Sequence, residues 1–289
     1  MAPRNGTLPH DRSECLVRDG VNTELFEDSI RRWFHAALKD DDIEQVPSSG
    51  AHVGARVIAK QDGILAGRRV LDAILSGTRL ECNWFIEDGE PLDEGVILEL
   101  KGPADSILAL ERPMLNVIGR LSGIATNTSR WVSAASCPVA CTRKTTWGLL
   151  DKWAVHVGGG LTHRLSRTDA LMIKENDIAV MDSIESALDE VNPAIWAFVE
   201  IEVRNREEVL RAASAWNHQT PLVIMLDNMS HEECRGLRNH LDDERFILEA
   251  SGGITFDSLK NWNDVDVVSS SALNQGVSHV DFSMLMEGA

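Results

Sequence analysis

From residue 138 onward, short apolar runs alternate with amphipathic stretches at intervals of roughly 20 to 30 residues, and this rhythm limits the possible folds more than any other feature. The apolar runs, at 138–142, 170–174, 197–202, 222–226, 246–250 and 265–269, read as strands. The stretches at 147–156, 182–191, 206–215, 231–240 and 256–262 read as helices. Parallel strands cannot be joined by tight turns, so alternation of this kind means strands linked by crossover helices, in a barrel or an open doubly wound sheet.

The polar residues that close each strand point to a site. Arg143-Lys144 follows the first, Lys174-Glu175-Asn176 the second, Glu200 and Glu202 lie in the third, and Asp227-Asn228 follows the fourth. Ser251-Gly252-Gly253 and Ser269-Ser270-Ser271 end the fifth and sixth. In an α/β barrel these ends converge on one mouth, the usual place for an active site. Between Arg143 and Lys174 six basic residues (Arg143, Lys144, Lys152, Arg164, Arg167, Lys174) face two acids (Asp151, Asp169), inside a chain of net charge -17. A locally cationic window in an acidic protein fits a small anionic ligand and argues against nucleic acid or an anionic membrane as partner.

Each group suits a task. Arg143, Arg164, Lys174 and Lys144 bind carboxylates or phosphates. Glu202 and Asp227, with Glu200 on the same side of its strand as Glu202, hold Mg²⁺ or accept sugar hydroxyls. The Ser251-Gly252-Gly253 and Ser269–Ser271 turns offer backbone N–H groups to a phosphate. His163 is read either as a hydrogen-bonding neighbour of Arg164 or as an acid or base.

The N-terminal part reads differently. Residues 1–22 are polar and broken by Pro3, Gly6, Pro9 and Gly20, which predicts a flexible arm. A helix is predicted over 25–38, ending at the acidic run Asp40-Asp41-Asp42. β-like runs follow at 55–59, 63–67, 80–85 and 96–100, with one helix at 69–76, then a long helical stretch from 106 to 135 with a polar break near Leu121-Ser122-Gly123. Five scattered cysteines without a CxxC pair suit a reducing compartment. With no long apolar run and no apolar leader near the start, a cytoplasmic location is expected.

Several of these segments resemble quinolinate phosphoribosyltransferases. The resemblance runs from about Ala55 to the C-terminus and rests on Asp62-Gly63-Ile64-Leu65-Ala66-Gly67, Glu111-Arg112-Pro113, Arg120-Leu121-Ser122-Gly123 and Thr142-Arg143-Lys144-Thr145. It continues through Gly158-Gly159-Gly160, His163-Arg164, Ile173-Lys174, Glu200-Ile201-Glu202-Val203, Leu226-Asp227-Asn228 and Glu249-Ala250-Ser251-Gly252-Gly253. It implies an α+β sandwich over 23–120 joined by the tail 276–289, and an incomplete α/β barrel of parallel strands over 121–275. The implied reaction is Mg²⁺-dependent transfer from phosphoribosyl pyrophosphate to quinolinate with loss of CO₂, in a homodimer.

By motif, Arg143, His163, Arg164 and Lys174 line the quinolinate pocket, with Arg112 arriving from the partner subunit. Lys144, Glu202 and Asp227 serve the phosphoribosyl and Mg²⁺ side, Lys144, Lys174, Glu202 and Asp227 being the catalytic set. Ser251, Gly252, Gly253 and Ser271 hold the 5′-phosphate. The chain departs from the family at Leu161-Thr162, where His-Asn is usual, and at Asp177, where His is usual, so two imidazoles are missing near the pocket. Three rivals remain at this point: a related transferase for another base, a Schiff-base aldolase using Lys144 or Lys174, and a silent nucleotide-binding homologue.

Overall fold

The computed structural model describes residues 8–40, 50–241 and 244–287, and the chain divides into two compact units. The first comprises the N-terminal segment through Arg12, Trp131–Lys144 and Gly160–Ala272. It is built on six strands, β1 (Val139–Ala140), β2 (Leu171–Ile173), β3 (Val199–Val203), β4 (Leu222–Asp227), β5 (Phe246–Ser251) and β6 (Val267–Ser269). All pair in parallel, in the order β1-β6-β5-β4-β3-β2. The last strand lies against the first while β1 and β2 do not pair. That is the order a barrel produces when it is opened between its first two strands.

Register explains how the sheet gathers polar groups. Glu202, Met225, Glu249 and Val267 form one row across β3 to β6; two residues further on, Asp227, Ser251 and Ser269 form the next. In-register residues of parallel strands point to the same side, so one face carries Glu200, Glu202, Asp227, Glu249, Ser251 and Ser269. The alternate residues Ile201, Val203, Ile224, Leu226, Leu248 and Ala250 are fully buried. Each large one contributes roughly 1.5–3 kcal/mol, which anchors the register against a one-residue slip that would turn the polar face inward.

The second unit comprises Ser13–Arg130, Thr145–Gly159 and the chain from Leu273 onward. Its four-stranded antiparallel sheet runs in the order Phe282–Glu287, His52–Ala59, Gly95–Pro103, Glu81–Trp84. Helices Glu24–Asp40, Arg68–Leu75 and Leu149–Val157, and the long helix that begins at Ala104, complete it. Among the described residues, no helix is long and apolar enough to cross a membrane.

Several expectations need correction. The described part of the predicted arm is packed: His10, Ser13 and Leu16 are buried, and Val17–Arg18 pairs with Val21–Asn22 around a two-residue turn, Asp19-Gly20, at positive φ. Residues 13–22 and 145–159 group with the antiparallel unit, in addition to the stretch from 23 to 120 and the tail. The polar break at Leu121-Ser122-Gly123 does not interrupt Ala104–Ala134, which is one helix of 31 residues. Ser122 Oγ accepts from the Ala66 amide and donates to its carbonyl, and a Cβ on Gly123 would stand 2.2 Å from the Ser278 carbonyl oxygen. Glycine there permits close approach of two backbones within a continuous helix.

Two predicted crossover helices are shorter than their patterns. One is His231–Cys234, stopped ahead of Gly236 at φ 74°, with a 3₁₀ turn at Arg238–His240; the other is the 3₁₀ segment Phe256–Asn261. A short helix, Glu175–Val180, was not anticipated. The run at 63–67 forms strand only at Gly63–Ile64. Asp41 and Asp42 of the acidic run lie outside the described residues.

Candidate active site

The loop that joins β1 to β2 enters the sheet through Leu161, whose amide donates to the Val139 carbonyl and whose carbonyl accepts from the Cys141 amide. This bridge fixes His163 and Arg164, two and three residues later. Both are buried, at 3% and 7% exposure. Arg164 Nη1 donates to the Ala170 carbonyl at 3.1 Å and Nη2 contacts Met172 Sδ at 3.3 Å, while its buried Nε has no hydrogen-bond partner among the described residues. Burial lowers the proton affinity of this guanidinium, and the neighbouring charges of Arg143 and Arg167 lower it further. Clustered cations with an unused buried donor form a site that an anion would stabilise. Arg143 and Lys144 are exposed just beyond β1.

Lys174 follows β2, and its Nζ pairs with Glu202 of β3. Its backbone N–H donates to Asp177 Oδ2 at 2.9 Å, so Asp177 holds the start of the Glu175–Val180 helix. Lys174 is exposed and paired to a carboxylate, without the apolar surround that a Schiff-base nucleophile requires. Asp227 ends β4, and its Oδ2 accepts from Asn228 Nδ2 at 2.9 Å. Two carboxylates on one face of adjacent strands are hard oxygen donors, a set that fits Mg²⁺, which commonly takes one or two carboxylates and completes its shell with water and substrate phosphates.

After β5, Gly252 and Gly253 both have positive φ, 85° and 63°. A Cβ on Gly252 would meet Asn228 Oδ1 at 2.3 Å, whereas one on Gly253 would meet nothing within 4 Å. The turn therefore packs on one side and opens on the other. Ser269 Oγ donates to Ser251 Oγ at 3.0 Å, and the half-buried Ser271 begins a 3₁₀ turn after β6. These groups, with Arg143, Lys144, His163, Arg164, Lys174, Glu202 and Asp227, all belong to the parallel unit. Arg112 belongs to the other unit and is exposed on the helix Ala104–Ala134.

Beneath the mouth, His163 and Glu200 meet two residues that the sequence alone did not single out, His10 and Glu249. His163 Nε2 is 3.3 Å from both Glu249 oxygens and 3.6 Å from Glu200 Oε2, and His10 Nε2 is 2.7 Å from Glu249 Oε2. Glu200 and Glu249 are fully buried. Burial pushes the Glu200 carboxyl up, and the adjacent Glu249 charge adds to this. Burial also opposes ionisation of Glu249, but the His163 charge and the hydrogen bonds from His10 and His163 hold it below the usual range. Burial alone would lower the His163 pKa, yet the facing carboxylates outweigh it and push it up to about 9. The Arg164 amide lies 2.7 Å from His163 Nδ1, a contact only an unprotonated nitrogen accepts. A second proton on the ring therefore competes with that amide, which links ring charge to loop conformation. With both nitrogens engaged internally, His163 supports Arg164 from beneath.

His10, His163 and Glu249 bring ligand-type atoms within 4.8 Å of one another. The 2.7 Å contact between His10 and Glu249 is a hydrogen bond, shorter than the ~3.3 Å that separates two ligands in a tetrahedral shell with bonds of about 2.0–2.1 Å.

Comparison with known proteins agrees with this arrangement. The family profile described as quinolinate phosphoribosyl transferase, C-terminal domain, matches residues 124–285, and that of the N-terminal domain matches residues 43–122. A probable nicotinate-nucleotide pyrophosphorylase [carboxylating] of Archaeoglobus fulgidus is 36% identical over 257 residues, covering 84% of this chain and 97% of its own. Its Methanothermobacter thermautotrophicus counterpart is 35% identical over 280 residues, covering 90% and 99%. A crystal structure of NadC from Streptococcus pyogenes superposes with a TM-score of 0.79 at 32% identity, covering 92% of this chain and 98% of that one. A cationic mouth on an opened parallel barrel, both family domains and full-length relatives lead to one assignment: the chain belongs to the quinolinate phosphoribosyltransferases, the carboxylating nicotinate-nucleotide pyrophosphorylases of NAD biosynthesis.

Proposed function

We propose that the mouth of the parallel sheet divides between the two substrates of the family's reaction. Quinolinate sits on the Arg143 and Arg164 side, its carboxylates meeting the guanidinium groups, with Lys174 at the border. Phosphoribosyl pyrophosphate occupies the Lys144, Glu202 and Asp227 side, its 5′-phosphate in the turns Ser251-Gly252-Gly253 and Ser271. The observation that carries this reading is the buried, incompletely bonded guanidinium of Arg164 beside Arg143, opposite a row of carboxylates and an open glycine turn.

In this arrangement the quinolinate nitrogen attacks C1 of the ribose as the bond from C1 to pyrophosphate breaks. The bond from C2 to its carboxylate then breaks, CO₂ leaves, and the electron pair on C2 takes a proton to give nicotinate mononucleotide. Orientation of two polyanions and stabilisation of displaced charge by fixed cations account for the acceleration, with no covalent nucleophile. Glu202 and Asp227 would hold Mg²⁺, which when bound offsets the charge on departing pyrophosphate. Lys174 keeps Glu202 aimed across the mouth, and Lys144 contributes a cation to the phosphate side.

We assign the protein to the cytoplasm, a reading supported by five scattered cysteines with no CxxC pair among them. Its working form in this reading is a homodimer in which Arg112 reaches the partner's quinolinate side. Support comes from an apolar cleft lined by Trp33, Phe34, Val70, Pro113, Asn116 and Leu150, next to Arg112 in the chain, a surface that association would cover.

The test is a split of kinetic constants. Arg143→Ala and Arg164→Ala should each raise the KM for quinolinate by about tenfold or more while leaving that for phosphoribosyl pyrophosphate within about twofold, as loss of a charge-assisted hydrogen bond of ~1.5–3 kcal/mol requires. Lys144→Ala should show the reverse pattern. A rise confined to phosphoribosyl pyrophosphate in the two arginine variants would invert the assignment.

A further inference from the structure

The only buried imidazole beside His163 among the described residues comes from His10, which precedes the stretch matched by the N-terminal family profile, residues 43–122. Its segment is fastened to the loop between β1 and β2. Arg12 Nε lies 3.2 and 3.3 Å from the two Asp169 oxygens and Arg12 Nη2 is 3.0 Å from Oδ1. Thr162 Oγ1 accepts from the Arg12 amide at 2.8 Å and donates to the His10 carbonyl at 3.3 Å. Both anchors belong to the loop that carries the two pocket residues: Thr162 precedes His163, and Asp169 precedes Ala170, whose carbonyl accepts from Arg164. Asp169 Oδ2 also accepts from the Leu165 amide at 2.9 Å, which closes the loop on itself.

His10 enters this frame with no exposed surface. Its ring meets His163 edge to face at 5.1 Å and Phe198 at 5.4 Å. Among the described residues its Nδ1 has no hydrogen-bond partner, and the ring's hydrogen bond there is the one from Nε2 to Glu249 Oε2. Glu249 is thus bracketed by two imidazoles, and it stands two residues before the Ser251-Gly252-Gly253 turn. A buried carboxylate that loses one of two partners rotates toward the other or takes up a proton, since desolvation leaves it little alternative. Either response would move His163, and with it the Arg164 amide that contacts His163 Nδ1.

We propose that His10 is a positioning residue for the quinolinate side of the site: it fixes Glu249, Glu249 fixes His163, and His163 sets the backbone from which Arg164 reaches the substrate carboxylate. The proposal rests on the assignment of Arg164 and Arg143 to quinolinate. The N-terminal segment is accordingly part of the catalytic unit, and Thr162 is the residue that receives it.

The experiment compares His10→Ala and His10→Gln in the full chain, with Arg164→Ala as reference, measuring both KM values, kcat and melting temperature. His10→Ala should raise the KM for quinolinate by at least about tenfold with the KM for phosphoribosyl pyrophosphate within about twofold. His10→Gln, which keeps a donor for Glu249, should recover most of that loss. An unchanged quinolinate KM in His10→Ala, an equal rise in both KM values, or no recovery in His10→Gln overturns the proposal. A stoichiometric transition metal in the purified wild type, absent from His10→Ala, overturns it as well, because His10 would then be a ligand. If Arg164→Ala itself leaves the quinolinate KM unchanged, the failure lies in the substrate assignment, which that arm identifies separately.

Discussion

The turn after β5 yields the sharpest structural prediction, because its adjacent glycines face opposite circumstances. At Gly252 an alanine Cβ would be 2.3 Å from Asn228 Oδ1 and 3.1 Å from the Asn228 backbone nitrogen, at φ 85°. The side chain can retreat only by giving up its 2.9 Å hydrogen bond to Asp227, worth ~1.5–3 kcal/mol because the acceptor is charged. The Asn228 amide is itself bound to the Ser251 carbonyl at 2.8 Å and cannot follow freely. Adding ~1–2 kcal/mol for a non-glycine residue in the left-handed region gives a cost of ~2.5–5 kcal/mol. At Gly253, φ is 63° but nothing lies within 4 Å of a Cβ, so the cost is the backbone penalty alone, ~1–2 kcal/mol.

Gly252→Ala should therefore be less stable than Gly253→Ala by ~2 kcal/mol, or about 4–8 °C in melting temperature at ~2–4 °C per kcal/mol for a chain of this size. Circular dichroism melts of the two variants and wild type measure this directly. Gly253→Ala should instead act on function, raising the KM for phosphoribosyl pyrophosphate, since its methyl group projects into the open side of the turn. Equal melting temperatures for the two variants would refute the packing argument. A stable Gly253→Ala with unchanged KM would refute the phosphate assignment.

Other consequences follow from single contacts. Asp151 is fully buried, receives Arg120 at 2.9 and 2.8 Å, and accepts from the Thr146 amide at 2.8 Å; Arg120→Met leaves it without a counter-charge, at ~3–5 kcal/mol, and should lower the melting temperature by ~6 °C or more. A melting temperature within 1–2 °C of wild type would count against that pair as a structural tie. His163 has a folded pKa of about 9 against an ordinary 6.5, so its contribution to stability is fully present below about pH 6.5 and is lost as pH rises through about 9. Urea denaturation across that window should show a decline that is reduced in His163→Gln. Mixing Arg112→Ala with Arg143→Ala subunits should restore about a quarter of wild-type activity, since half of randomly assorted dimers carry one intact site. No recovery after proven subunit exchange would remove Arg112 from the partner's site.

The six strands were legible because a sheet buried on both faces demands unbroken apolar runs such as Leu222 to Leu226, and the polar residues closing them mark where burial ends. The strand ends then gave Arg143, Lys174, Asp227 and the glycine turn by position alone. What failed depended on long-range contacts. Gly123 reads locally as a helix breaker, and only the Ser278 backbone explains why it sits inside a helix. The arm read as mobile because its anchors, Asp169, Thr162 and Glu249, are 150 to 239 residues away along the chain. Glu249 was visible only as a letter ahead of Ser251; its burial and its imidazole partners have no local signal. The crossover regions at 231–240 and 256–262 have helical patterns, but Gly236 and the preference for tight turns in short connections cut them short.

The measurement that bears most directly on the account is turnover by the purified chain with phosphoribosyl pyrophosphate and Mg²⁺, supplied with quinolinate in one reaction and nicotinate in another, with nicotinate mononucleotide and CO₂ followed by mass spectrometry. The account predicts mononucleotide and CO₂ in equal amounts from quinolinate, and no mononucleotide from nicotinate, because Arg143 and Arg164 require a second carboxylate. Mononucleotide from nicotinate, or none from quinolinate with the chain folded, would contradict it.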